Sequence, residues 1–215
     1  MKPELPTLAE LRDNELIAYQ NDALNAILNV ETPKKWVKQH PFAKNVKYLP
    51  IDKVEYLMTK IFQVWNPEVI EFKQLFNSVS VHVRVHYKDP LTGEMRFQDG
   101  VGAVGIQTDK GASASDMGSI KSDAVMKALP AAKSYAIKDA CEHIGKIFGR
   151  DLNRPDALGY EMSTKDPKQT KADLIELFEL KKDNLSKEQI ENFDRIINNK
   201  EVNSYQKAIN ELKSL

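Results

Sequence analysis

A single cysteine, Cys141, occurs in the 215 residues. No intrachain disulfide can form, and its place on an apolar helix face predicts packing in a reducing cytoplasm. No run of 18 apolar residues exists, so no segment reads as a membrane span. The start, Met1-Lys-Pro-Glu-Leu-Pro6, lacks the apolar core of a secretory signal. No Walker-type phosphate loop is found, which argues against ATP-driven strand exchange. No Ser, His and Asp grouping stands out as a triad. An excess of charge of one sign is missing too, with 31 basic and 31 acidic residues.

What is present is uneven. Residues 1–30 carry 2 basic and 5 acidic side chains, residues 31–154 carry 19 and 14, and residues 155–215 carry 10 and 12. The middle is therefore basic, at net +5, between acidic ends, and a local patch governs binding more than the total does.

The segment Ser78–Lys88 alternates almost without fault. Val79, Val81, Val83, Val85 and Tyr87 point one way, and Ser80, His82, Arg84, His86 and Lys88 the other. One face packs on a core and the other is polar and basic, as a nucleic-acid backbone requires. Asp89-Pro-Leu-Thr-Gly93 is a turn signal that makes Ser78–Lys88 and Glu94–Ile106 a hairpin. Glu68–Phe76 reads as a third strand, with Ile70, Phe72 and Phe76 alternating. A helix is predicted over 7–29, with Leu8, Leu11, Leu16, Tyr19, Leu24, Ile27 and Leu28 apolar. Another runs from Pro50 to Phe62. A long one spans about 120–149, divided or kinked at Pro130 and stopped by Gly149. Its Ala132, Ala136 and Ala140 let it sit close to the sheet. Between the first two helices lies a basic connector with interleaved aromatics: Lys34, Lys35, Trp36, Lys38, Phe42, Lys44, Lys47 and Tyr48. Base stacking or core anchoring would explain those aromatics equally well.

The fold class that follows is α+β: a twisted antiparallel sheet in a β-β-β-α core on a long helix, with a small C-terminal three-helix module. Residues 1–154 form the main domain with its N-terminal helix. Residues 155–169, with Pro155 and Pro167, form a linker, and 170–215 form the helical module. Ser186 with Gln189 reads as a capping box opening the module's second helix.

Three short motifs carry bland readings. Gly100-Val-Gly-Ala-Val-Gly105 matches G-x-G-x-x-G, but a polar loop follows it where a dinucleotide site needs a helix. The glycines are read as a bulged or closely approached strand. His82 and His86 lie four residues apart, roughly 13 Å along a strand, too far for one metal ion. They face either solvent or phosphate. Lys138, Glu142 and Lys146 follow i, i+4, i+8 spacing, which fits an exposed ion-pair ladder or a groove wall of lysines. Glu71-Phe-Lys73 has the E-x-K form used by metal-dependent nucleases, which leaves an enzyme reading open. A protein-interaction scaffold is the third reading.

Four segments together resemble the single-strand annealing proteins, meaning the Rad fifty-two-like annealing domain and phage recombinases of the Sak, Erf and RecT/Redβ kind. They are Tyr48-Leu-Pro-Ile-Asp-Lys-Val-Glu-Tyr-Leu-Met-Thr-Lys-Ile-Phe62, Val81-His-Val-Arg-Val-His86, Asp99-Gly-Val-Gly-Ala-Val-Gly105 and Ala136-Ile-Lys-Asp-Ala-Cys-Glu-His-Ile-Gly-Lys-Ile-Phe-Gly149. The resemblance covers residues 48–150. It implies ATP-independent binding and annealing of single-stranded DNA, without bond chemistry and without cofactor or metal. It places a groove lysine at Lys138. Where the family carries arginines just after, this chain has Asp139 and Glu142, so groove charge would come from Arg84, Arg96, Lys127 and Lys133. Lys146, Arg150, His82, Lys35 and Trp36 complete the candidate DNA contacts. The resemblance also implies a homo-oligomeric ring or filament. It further suggests that 170–215 dock a host single-strand binding protein or a companion phage exonuclease.

Overall fold

The computed structural model describes residues 15–40, 45–113 and 115–214. Leu8, Leu11, Phe42 and Lys44 lie outside the described residues. The chain divides into two compact units, residues 27–159 and residues 1–26 with 160–215. Helix α1, Glu15–Leu28, crosses the point of division.

The first unit, 27–159, is built on one sheet. A short ribbon of β1 (Lys38–Gln39) and β2 (Lys47–Tyr48) precedes helix α2 (Ile51–Phe62). Then come β3 (Trp65–Leu75), β4 (Ser78–Lys88) and β5 (Met95–Gly105), antiparallel in the order β3-β4-β5. The alternation of β4 is realised in full. Val79, Val81, Val83 and Val85 are buried, and the residues between them are half-buried on the opposite face. Asp89 shapes the β4–β5 turn, accepting the Leu91 N–H at 2.8 Å and the Thr92 N–H at 3.1 Å, and Gly93 takes the left-handed φ of 75°.

Helix α3, Ala124–Ile144, packs on β4 and β5. Ala132, Ala136 and Ala140 repeat at the helix period and are all fully buried. They face Gly100 and Gly102 of β5. A methyl group at Gly100 would lie 2.3 Å from the Ala136 carbonyl oxygen, and one at Gly102 would lie 2.2 Å from that of Ala132. The G-x-G pair is thus a close helix-on-strand crossing, not a dinucleotide turn. Pro130 does not divide the helix, which is continuous from Ala124 to Ile144. It is the seventh residue of the helix, past the first turn, so the Met126 carbonyl loses its helical N–H donor there while the helix runs on through it. The helix ends at Gly145, not Gly149. Gly145 is extended, and a short turn over Lys146–Phe148 then closes on Gly149 at φ 106°. Any side chain at Gly145 would meet the Leu28 carbonyl oxygen at 2.5 Å. Cys141 is buried, and burial pushes its thiol up to about 12.

The third strand is longer than its sequence pattern, and its register shifts between Val69 and Glu71. The bulge accounts for the poor alternation there. Phe72 pairs with buried Val81 yet is itself 67% exposed. Val69, Ile70, Leu75 and Phe76 are exposed as well.

In the second unit, α4 (Pro167–Lys181), α5 (Lys187–Asn198) and α6 (Tyr205–Ser214) form a helical module. Leu174, Phe178, Phe193, Ile196, Tyr205, Ile209 and Leu212 are its core. The capping box exists: the Ser186 hydroxyl accepts the Gln189 N–H, and the Gln189 side chain accepts the Ser186 N–H. Asp22 of α1 is fully buried in this same unit. It accepts hydrogen bonds from the Tyr160 hydroxyl, the Ser163 N–H at 2.7 Å and the Thr164 N–H and hydroxyl, both at 2.8 Å. Burial acts to raise the Asp22 carboxyl, but these hydrogen bonds outweigh it and hold the group below its ordinary value.

Candidate nucleic-acid interface

Two concavities of the first unit share the β1–β2 ribbon. A groove of about 430 Å³ runs between the Ala124–Lys138 stretch of α3, the end of β5 and the ribbon. His40, Tyr48, Lys127, Tyr135 and Lys138 line it. The Lys138 ammonium lies over two rings, 4.5 Å from the centre of Tyr135 and 5.0 Å from that of Tyr48. Tyr135 and Lys138 are close on α3, three residues apart, and Tyr48 reaches the same point from β2. Lys138 is half-buried. Burial lowers its pKa, and Glu142 one turn on opposes the shift. Glu142 is pushed the other way, first by burial and then by Asp139. Lys127 is exposed and pairs with Asp123.

The second concavity, about 770 Å³, also borders the ribbon. Five cations line it: Lys34, Lys38, Lys47, Lys146 and Arg154. Its carboxylates are Glu31 and Asp151, the latter held by Arg150 at 3.5 Å and by Arg154 at 3.8 Å. Asn153 frames the pocket by bonding the Lys47 backbone twice, at 2.7 and 2.8 Å. Lys146 is buried here, its ammonium donating to the Leu158 carbonyl at 3.4 Å. The expected ladder of Lys138, Glu142 and Lys146 therefore stops at Glu142, because the helix ends at Gly145 and turns Lys146 into a different cavity.

The outer face of the sheet is charged but internally paired. Arg84 makes a two-point ion pair with Asp99 at 2.7 and 2.8 Å, and its guanidinium lies 4.2 Å from the centre of the Phe97 ring. His82 reaches Asp99 at 3.4 Å, and His86 reaches Glu68 at 2.8 Å. The Arg84 hydrogen bonds hold the Asp99 carboxyl down at about 2. Glu71 and Lys73 share this face and pair with each other at 2.8 Å. Among the described residues, no group of three or more His, Cys, Asp or Glu side chains could hold a metal ion.

The candidate residues thus fall into separate places. Lys138 and Lys127 share the groove. Lys146 lines the larger cavity. Arg84 and His82 lie on the outer sheet face, and Arg96 pairs with Asp89 at 2.9 Å. Arg150 donates to Asn29 at 3.0 Å as well as meeting Asp151. Lys133 and Lys35 are exposed, and Trp36 stands edge-on to Tyr56 at 5.8 Å. Tyr135 and His40 were not among the contacts the sequence suggested. Tyr135 could have been found from its spacing of three residues before Lys138 on a helix.

Residues 19–171 match the model of a family described as Rad52/22 family double-strand break repair protein. No curated protein matches the chain. Among the described residues no helix is long and apolar enough to cross a membrane.

Proposed function

Because the chain belongs to the Rad52/22 family of double-strand break repair proteins, we propose that it binds single-stranded DNA and anneals complementary strands. On this reading it works without ATP, in phage-type recombination inside a reducing cell interior. The observation that carries the reading is the groove in which Lys138 sits between Tyr48 and Tyr135. Aromatic faces with cations beside them suit a single strand, because every base offers a stacking face and every nucleotide a phosphate. Each stacked base contributes about 1–3 kcal/mol. The five cations beyond the ribbon extend the positive surface on the same unit. Holding the backbone by charge while bases stay accessible is what pairing with a second strand requires. Lys138, Lys127 and Lys133 on α3 are the first phosphate contacts in this scheme. Arg84 contributes less, since Asp99 holds it at two points on the half-buried sheet face, whereas the Lys127–Asp123 pair is exposed.

We further propose that copies assemble into rings or filaments, and that residues 170–215 dock a protein that binds or processes single strands. Binding of single- and double-stranded oligonucleotides at several salt concentrations tests the central reading. Single strands should be preferred. The affinity should fall steeply with salt, and Lys138→Ala should flatten the log–log slope by about 0.7 for one lost phosphate contact. Annealing insensitive to EDTA and to the absence of ATP would separate this reading from a nuclease using Glu71 and Lys73. Equal binding by the parent and by Lys138→Ala, with folding intact, would remove the groove from the scheme.

A further inference from the structure

We propose that Lys138 is also a covalent binding site for an aldehyde carried on single-stranded DNA, the ring-opened sugar of an abasic nucleotide. The proposal rests on the single-strand reading of the groove. Its starting point is that Lys138 differs from the other lysines of α3. Lys127 and Lys133 are exposed, whereas Lys138 is half-buried at the groove floor with an aromatic ring at 4.5 and another at 5.0 Å. A strand whose bases stack on Tyr48 and Tyr135 would carry its sugars past the amine between them. A nucleotide without a base leaves a gap in that stack. The C1′ carbon, which elsewhere bears the base, can then descend to the Lys138 nitrogen.

Two features of the site favour the chemistry. Imine formation needs the neutral amine, and an ordinary lysine with a pKa of about 10.4 is almost wholly protonated at neutral pH. Burial lowers the pKa of Lys138 and so works toward the neutral amine, against the attraction of the two ring faces for the ammonium. Glu142, one turn along the same helix, interacts with Lys138 electrostatically and has its own pKa raised by burial. Water in the open groove, with Glu142 one turn away as its acid–base partner, can take up the ammonium proton and return it. The step is then balanced: the Lys138 nitrogen lone pair attacks the C1′ aldehyde carbon and a C–N bond forms. The former carbonyl oxygen leaves as water, carrying the shuttled proton and one from nitrogen, and a protonated C=N bond remains. Water reverses the step. Nothing is oxidised or reduced.

The test uses the full chain, a single-stranded oligonucleotide with one abasic site, and sodium borohydride, which reduces the C=N bond to a stable amine. An intact oligonucleotide of the same sequence is titrated in parallel. The expected result is a trapped one-to-one adduct whose tryptic peptide carries the sugar remnant on Lys138. Lys138→Arg should lower the adduct at least tenfold per molecule of bound DNA, and Glu142→Gln should slow its formation without moving the attachment point. No adduct despite tight binding of the intact strand, or an adduct spread over exposed lysines, overturns the proposal and leaves the binding groove standing. Failure to bind the intact strand overturns both.

Discussion

Asp139 and Val101 meet across the edge of the sheet: the carboxylate accepts the Val101 backbone N–H at 2.9 Å. β5 is an edge strand, and an unpaired N–H on such an edge invites another strand to pair. Asp139 closes that position from α3. The residue that departs from the family's arginine pattern thus has a structural task here. Asp139→Ala should cost less than the about 1.5–3 kcal/mol of a hydrogen bond to a charged group, because the contact is exposed to solvent. Asp139→Asn keeps an acceptor and should recover much of the loss. Urea unfolding of the three proteins reads the difference, and equal midpoints would show that the contact contributes nothing.

The acid stability of the sheet should depend on Asp99. Hydrogen bonds from Arg84 hold its carboxyl down at about 2, against 3.8 for the free group. A depressed carboxylate stabilises the fold fully above its unfolded value. That stabilisation fades as pH falls from about 3.8 through about 2. The predicted outcome is that Asp99→Asn is less stable than the parent at pH 7 and that the gap closes below pH 3. A gap that stays constant with pH would mean that the Arg84 pair is not what depresses the carboxyl.

Assembly should depend on β3. Its Phe72 is 67% exposed and Phe76 is 97% exposed, while α3 packs on β4 and β5. Exposed aromatics in a row at a sheet edge mark a surface that another chain covers. Phe72→Glu removes nothing from the core of a single copy, so the fold should persist. Light scattering should show the parent as larger than a dimer and the variant shifted toward monomer. Parent protein that is monomeric with and without DNA would count against assembly altogether.

The strands were legible because β4 obeys a period of two so closely that its register with β5 follows from the turn at Asp89. The capping box at Ser186 was legible for the same reason, since both partners are local. The groove was only half legible. Lys138 could be named, but the Tyr48 ring comes from a strand ninety positions away, and only folding brings them within 5.0 Å. Arg84 read as a free cation because its partner Asp99 lies across the hairpin, where cross-strand register decides the pairing. The Gly145 break was hidden by an apolar period that runs on through Ile147 and Phe148. Its cause is the close approach of the Leu28 backbone, 2.5 Å from where a side chain would begin.

Truncation of the C-terminal module should separate annealing from partner docking, and Asp22 fixes where the cut must fall. Its carboxylate is fully buried and is satisfied by Tyr160, Ser163 and Thr164. A cut after Lys165 keeps all three partners and removes α4, α5 and α6, whose core cluster lies, among the described residues, within 174–212. A cut after Gly159 removes the partners as well, and the Asp22 carboxylate then loses the hydrogen bonds that hold this part of the unit together. The longer fragment should therefore melt higher than the shorter one. It should also anneal naked oligonucleotides at close to the parent rate, since the groove residues lie within 40–138. On strands already coated by a single-strand binding protein it should fall behind the parent, because the proposed docking surface is gone. Stopped-flow annealing with and without the coating protein measures both arms. If the folded 1–165 fragment fails on naked DNA, the helical module belongs to the annealing activity itself and the proposed division of labour is wrong.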